Sequence, residues 1–317
     1  MGQVQWLPPD EEKQHGEGSA FGQGVWWGIC AAQGRRESME DTFIGIPSLG
    51  ARAGGDPWAM TSVFGVFDGH NGSEVSLACA EHLPSLIARG PSHNVSAALV
   101  GAFQQMDQIA STLQKNDAGS TACVACVRAD SIVVANAGDC RAVLCRKGKA
   151  IDLSRDHKPN LPDEEERIIQ AGSYVEQDGV GLGKEYRVNG DLAVSRAIGD
   201  FSFKRNPRLP PHQQAVIATP DVQVFQRQPD DEFMIIACDG IWDVMNSKET
   251  VAWFRKRLGD CKTVEARLLD GSIGLCDVVE EFLDHCLRPQ PKLFYGIGED
   301  NMTAVVVVFL KSFWRRR

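Results

Sequence analysis

Apolar residues gather along the chain in short runs that stop at acidic residues. Val63–Phe67 ends at Asp68, Ile132–Ala135 leads to Asp139, Phe233–Ala237 leads to Asp239, and Ala304–Phe309 follows Asp300 and Asn301. Such runs, bounded by Gly and Asp and dense in β-branched residues, read as buried strands. Further strands are predicted at Phe21–Cys30, Thr42–Ile46, Thr121–Arg128, Arg141–Arg146, Ala150–Leu153 and Val222–Phe225, with Lys147-Gly148 as a tight turn. Apolar positions spaced by three and four predict helices over Ser73–Arg89 and Val95–Leu113. Shorter ones are expected over Asp163–Ala171, closed by Gly172, over Ser247–Leu258 with Ser247 as cap, and over Gly274–Leu287. Asn189–Ile198 reads as a short helix or a turn. Pro207, Pro210 and Pro211 exclude a regular element from Phe201–Gln214, a surface flap carrying Lys204, Arg205 and Arg208. Strands at both ends with helical pairs between them predict an α+β layered fold of mostly antiparallel sheets.

Length alone allows one domain or two in 317 residues. The acidic stretches run from Glu40 to Asn301 with no linker or repeat between them, so one domain over residues 21–310 must bring them together. Residues 1–20, polar and Gly-rich, read as a flexible tail, and residues 311–317 as a basic one. A hydrophobic content of 43% supplies a core, and a net charge of −9 argues against nucleic-acid binding through a basic surface. No stretch approaches the roughly 18 apolar residues of a membrane span. Met1–Lys13 lacks the shape of a signal peptide, which leaves a cytoplasmic or nuclear location as the expectation. Met1-Gly2 resembles a myristoylation start, but Trp6 stands where Ser or Thr belongs. Five of the ten cysteines lie in or beside strand-like runs and read as buried small hydrophobes. Cys123-x-x-Cys126 lacks a second ligand pair for zinc, and strand alternation sends its two side chains to opposite faces.

Carboxylates at strand ends are held on rigid scaffold. Several in one cleft repel one another and need a counter-charge, and the chain places few basic residues beside them. Hard divalent cations, Mg²⁺, Mn²⁺ or Ca²⁺, suit an oxygen-only ligand set. Two such ions are the arrangement that activates water for attack on a phosphate ester. Arg36, four residues before Glu40, is the candidate to hold phosphate oxygens, with Arg35 as its rival; His70, beside Asp68, is the candidate acid for the leaving group.

The segments carrying these residues form an ordered series. Arg36-Glu37-Ser38-Met39-Glu40-Asp41 resembles the RxxxED motif of the type 2C, metal-dependent protein Ser/Thr phosphatases, and Asp68-Gly69-His70-Asn71-Gly72 their DGHxG motif. Gly119-Ser120-Thr121-Ala122, Gly138-Asp139-Cys140-Arg141, Leu192–Asp200, Asp239–Asp243 and Asp300-Asn301 are similar to the family's later motifs, in the family's order. The resemblance implies a central sandwich of two antiparallel sheets flanked by helices, with a metal cleft at one end. It implies two Mn²⁺ or Mg²⁺ ions held by Asp68, the Gly69 carbonyl, Asp239 and Asp300, with Glu40 acting through water. Asp139 and Asp243, with Asp239, resemble a weaker third-ion site. By the same carry-over Asp41 orients the nucleophilic water, Arg36 binds substrate phosphate and His70 is the general acid. The implied activity is hydrolysis of phosphoserine and phosphothreonine in protein substrates by direct attack of a metal-bridging water, in a monomer. Its rival is a catalytically silent relative that only binds, and such relatives lose acidic positions that are all present here.

Overall fold

In the computed structural model, which describes residues 12–20, 22–50, 55–113, 117–179, 185–287 and 299–314, two antiparallel sheets face each other. The first runs in the order β1 (Lys13–Ala20), β2 (Val25–Ala32), β16 (Met302–Phe309), β15 (Asp231–Ala237), β9 (Arg141–Arg146) and β10 (Lys149–Asp152). The second runs β14 (Asp221–Gln226), β8 (Ser131–Ala137), β7 (Ala122–Val127), β4 (Ser62–Phe67) and β3 (Thr42–Ile46).

The continuous apolar runs follow from covering both faces of each sheet. Along β16, Val305, Val307 and Phe309 enter the core between the sheets, where they join Phe64 and Val66 of β4 and Met234 and Ile236 of β15. The alternate residues Ala304, Val306 and Val308 pack outward against Phe254 of α5 (Ser247–Leu258) and Phe282 of α7 (Leu275–Leu287). On the other flank, Val63 and Phe67 meet Leu83 of α1 (Glu74–Arg89) and Phe103 of α2 (Val95–Leu113). The expected alternation of the cysteine pair holds, with Cys123 in the sandwich core and Cys126 under the helices. Nine cysteines have described side chains, and all are free thiols.

Several expectations need correction. The tail expected over residues 1–20 contains a strand over Lys13–Ala20, because β1 pairs with β2 along its whole length and Lys13 reaches Glu280 and Asp284 of α7 at 3.1 and 2.6 Å. The basic tail likewise begins as a helical turn, α8 (Lys311–Trp314), whose first backbone N–H groups donate to the Glu265 carboxylate. Arg227 lies over the rings of Phe309 and Phe313 at 4.7 and 5.2 Å and fixes this turn to the sandwich. Asn246, not Ser247, caps α5, in a capping box with Glu249. Helix α6 (Cys261–Leu269) and the hairpin of β11 (Val175–Asp178) and β12 (Glu185–Val188) were not foreseen. Asn189–Ile198 is turn and bridge, and Phe201–Gln214 holds two 3₁₀ turns. Within it Lys204 points inward, only 7% exposed, to Asp107 at 2.7 Å. Residues 1–11, including the Met1-Gly2 start, residues 180–184 and residues 315–317 lie outside the described residues. No helix among the described residues is long and apolar enough to cross a membrane.

A separate small core of Ile168, Val188, Val194, Ala197, Ala215 and Val216 joins α3 (Pro162–Gln170) to the segment after β12. A buried ion network ties it to the sandwich. Glu164 accepts from Arg196 Nη2, Arg167 Nη1 and Ser195 Oγ, each at 2.6 Å, and Arg196 Nη1 reaches Asp221 of β14 at 2.7 Å. Burial alone would raise the Glu164 carboxyl, but the two guanidiniums and the hydroxyl overcome it and hold it at about 2. A depressed carboxyl contributes stability that is complete above the ordinary value of 4.5 and is lost as pH falls toward 2. We expect Glu164→Gln to reduce the acid-limb slope between those values, by up to about 3 kcal/mol over the range. Urea denaturation of both proteins across that range tests it, and parallel pH profiles would contradict it.

Candidate metal centre

The strand registers bring the acidic residues to one end of the sandwich. Thr42 pairs with Phe67, so Asp41 and Asp68 are neighbours where β3 begins and β4 ends. Ala237 pairs with both Ala304 and Arg141, which sets Asp239, Asp300 and Asp139 around the same end of the first sheet. Asp239 opens the short helix α4 (Asp239–Trp242), and Asp243 follows it, exposed.

One carboxylate oxygen each of Asp68, Asp139 and Asp239 lies within 4.8 Å of the other two, and Asp41, Asp68 and the Cys238 thiol form a second such group. Burial, then the charges of Asp41, Asp239 and Asp139, hold the Asp68 carboxyl well above the usual carboxylate range. Burial and Asp139 do the same to Asp239, against the pull of Lys158. Asp41 is 5% exposed, neither of its oxygens has a hydrogen-bond partner, and burial pushes its carboxyl up to about 6. Converging oxygens with one carboxylate wholly unpartnered fit a hard divalent cation. Cys238 is a poor competitor for that role, since burial and the nearby Asp41 hold its thiol well above its ordinary pKa, only the thiolate ligates, and hard cations prefer oxygen.

The loop carrying Arg36 and Glu40 has no regular structure, and Asn301 fixes it. The Asn301 side chain accepts from the Glu40 N–H at 2.8 Å and donates to the Gln33 and Ser38 carbonyls at 2.7 and 3.0 Å. Ser76 Oγ of α1 donates to the Glu40 carbonyl at 2.5 Å. Gly69 lies so close beneath that carbonyl that a Cβ would stand 2.4 Å from it, so only glycine lets the two acidic segments touch. Arg36 Nη2 sits 2.5 Å from Asp300 Oδ2, with the rest of its side chain 60% exposed.

His70 belongs to a small sheet of β5 (Gly69–His70), β6 (Gly119–Ser120) and β13 (Ile198–Gly199). Its Nε2 meets both oxygens of Asp200 at 2.8 Å, and Asp200 is 1% exposed. Burial opposes a charged ring there, but Asp200 outweighs it and raises the His70 pKa. Gly119 makes room for the pair, since a Cβ there would lie 2.2 Å from Asp200 Oδ2 and 2.4 Å from His70 Nε2. Thr121 accepts from the Asp68 N–H at 3.2 Å and meets Cys140 Sγ.

The expectation of few basic neighbours holds along the chain and fails in space. Lys158 Nζ reaches Asp139 Oδ2 at 2.5 Å from a segment that carries no motif. Lys158, Asp200 as the partner of His70, and Asn301 as a staple are the residues that sequence reasoning missed. Only Asp200 and Asn301 lay inside recognised motifs.

A family model described as "Protein phosphatase 2C" matches residues 27–289. "Protein phosphatase 2C homolog 2" of Schizosaccharomyces pombe is 39% identical over 291 residues, covering 90% of this chain and 73% of that one. "Probable protein phosphatase 2C 60" of Arabidopsis thaliana is 35% identical over 335 residues, covering 89% of this chain and 86% of that one. Among solved structures, a phosphatase from a pathogenic strain of Toxoplasma gondii superposes with a TM-score of 0.75 at 26% identity, covering 95% of this chain and 96% of that one.

Removing one charge from the carboxylate cluster should stabilise the metal-free protein. In chelator, Asp68→Asn is expected to melt above the wild type, by about 2–4 °C for each kcal/mol of repulsion relieved. Added Mn²⁺ should raise the wild-type Tm more than the variant's. A variant that melts lower in chelator would mean that the Asp68 carboxylate is already satisfied by protein groups.

Proposed function

Since the chain belongs to the protein phosphatase 2C family and is a metal-dependent protein Ser/Thr phosphatase acting on phosphoproteins, we propose that the acidic cleft hydrolyses phosphoserine and phosphothreonine with two Mn²⁺ or Mg²⁺ ions and a water nucleophile. The observation that carries this is the convergence of Asp68, Asp139 and Asp239 oxygens within 4.8 Å at the sheet ends. Asp68, the Gly69 carbonyl, Asp239 and Asp300 would hold the two ions, with Glu40 reaching through water, and Asp139 and Asp243 would join Asp239 at a weaker third position. When bound, such ions lower the pKa of coordinated water and neutralise the oxygens of an in-line displacement.

The chain's own groups supply the remaining parts. Asp41 has two buried, unpartnered oxygens, which suit it to accept hydrogen bonds from the attacking water and aim it. Arg36 is tethered to Asp300 through Nη2, and its exposed fork leaves donors for the non-bridging phosphate oxygens. His70 is oriented through Nε2 by Asp200, so the proton for the leaving alkoxide is the one on Nδ1. Asp200 favours the protonated ring before the transfer. The silent-binder reading is disfavoured because every acidic position of the family's motifs is present in the sequence, and three of them, Asp68, Asp139 and Asp239, converge.

Phosphate release from a phosphothreonine peptide tests the proposal. Asp239→Asn should lower kcat by about a hundredfold or more with its circular dichroism unchanged, and chelator should abolish the wild-type rate. His70→Ala should lose about 10²–10⁴ in kcat on the peptide and far less on an aryl phosphate, whose leaving group needs no proton. Negligible release from a folded, Mn²⁺-loaded wild type would favour the silent-binder reading, and equal losses on both substrates would remove His70 from the acid role.

A further inference from the structure

The segment Asp156-His157-Lys158-Pro159 belongs to no helix or strand, yet it is held firmly. His157 is fully buried; its backbone N–H donates to the Gly138 carbonyl at 2.9 Å, and its Nδ1 accepts from the Gly138 N–H at 3.2 Å. Its Nε2 meets Asp221 Oδ2 at 3.1 Å. Asp156 accepts from Arg141 Nε and Nη2 at 2.8 and 2.6 Å. These bonds clamp the segment on both sides of the turn that carries Asp139. Lys158 is thereby delivered to a fixed place, with Nζ 2.5 Å from Asp139 Oδ2, the Asp139 side chain 3% exposed and that of Lys158 35% exposed.

We propose that Lys158 is a tethered counter-ion that competes with a divalent cation for Asp139, so that the affinity of the weaker third ion position is set by the protein's own ammonium. The inference rests on the reading of Asp139 as a cation ligand given above. An ammonium 2.5 Å from Asp139 Oδ2 repels a divalent cation that arrives at the same carboxylate, so binding there must weaken or displace the Lys158 contact. The partly exposed side chain has a route to solvent, and its flexible stem can swing while His157 keeps the backbone in place. A lysine that acted only through its general positive charge would, when removed, tighten all of the ion steps together rather than the weakest alone.

Calorimetric titration of Mn²⁺ into the metal-free full chain separates these roles, using wild type, Lys158→Met and Lys158→Gln. The tighter binding steps should agree among the three proteins within about twofold, while the weakest step tightens about tenfold or more in both variants. Lys158→Gln keeps a hydrogen-bond donor for Asp139 without the charge, which guards against misfolding of the methionine variant. Lys158→Arg, which retains the charge, should bind its weakest ion no more tightly than wild type. Superimposable isotherms for wild type and the folded neutral variants would overturn the proposal. So would a raised KM for phosphopeptide with an unchanged isotherm, which would make Lys158 a substrate contact. A wild type that binds no Mn²⁺ would instead bring down the metal-centre reading itself.

Discussion

Asp68, Asp139 and Asp239 each place a carboxylate oxygen within 4.8 Å of the other two, and the paired strands next to them set that spacing. At an effective dielectric of about 20, two full charges roughly 4 Å apart repel by about 4 kcal/mol. The sandwich must therefore supply the free energy that holds the cluster together. It does so through strands apolar on both faces: β4, β15 and β16 each fill the inter-sheet core with one set of side chains and the outer helical layer with the other. The acidic residues stand where those runs stop. The same backbone that buries Phe67 presents Asp68, and the one that buries Ala237 presents Asp239.

The chain treats another buried carboxylate in the opposite way. Glu164, 1% exposed, is met by two guanidiniums and a hydroxyl, and its carboxyl is held far below the usual range. Asp41, 5% exposed, has no hydrogen bond on either oxygen; burial pushes its carboxyl up and outweighs the pull of the nearby Thr303 and Cys238. Burial is common to both, so what separates them is whether the fold supplies donors. A carboxylate that serves structure is saturated by protein groups, whereas one left bare in the interior has its lone pairs reserved for something the chain does not contain. Asp300 and Asp139 fall between these extremes, each with one cation of the chain, Arg36 and Lys158, at 2.5 Å.

How much of this was legible in the sequence follows from which forces leave a local trace. Strands buried on both faces write uninterrupted apolar runs, and Thr42–Ile46 and Arg141–Arg146 have the same bounds in sequence and structure. Helix α2 packs one face and was equally plain, with Val95–Leu113 recovered whole. The edge strand β1 was hidden because its sequence, Lys13-Gln-His-Gly-Glu-Gly-Ser-Ala20, is polar and its order comes from backbone pairing and from ion pairs with α7. Helix α6 had a readable signal in its cap, since the Asp260 side chain accepts from the Lys262 and Thr263 N–H groups, but its apolar pattern is weak. At the site, the acidic residues were visible as motifs. The pairings were not: Lys158 lies in no motif, and Asp200, though inside one, meets His70 only through tertiary folding.

The position of Arg36 and Glu40 shows why that tertiary information is indispensable. Their loop lacks any ladder of its own, so its backbone groups must be satisfied from elsewhere. Asn301, at the other end of the sequence, takes three of those bonds, and Ser76 takes a fourth from the opposite helical layer. Asn301 can do so only once β16 is seated between β2 and β15, which are themselves far apart along the chain. The loop that carries the candidate phosphate-binding residue is thus locked by the strand that closes the first sheet. Each half of the chain contributes acidic groups, but the cleft acquires its geometry only in the finished sandwich.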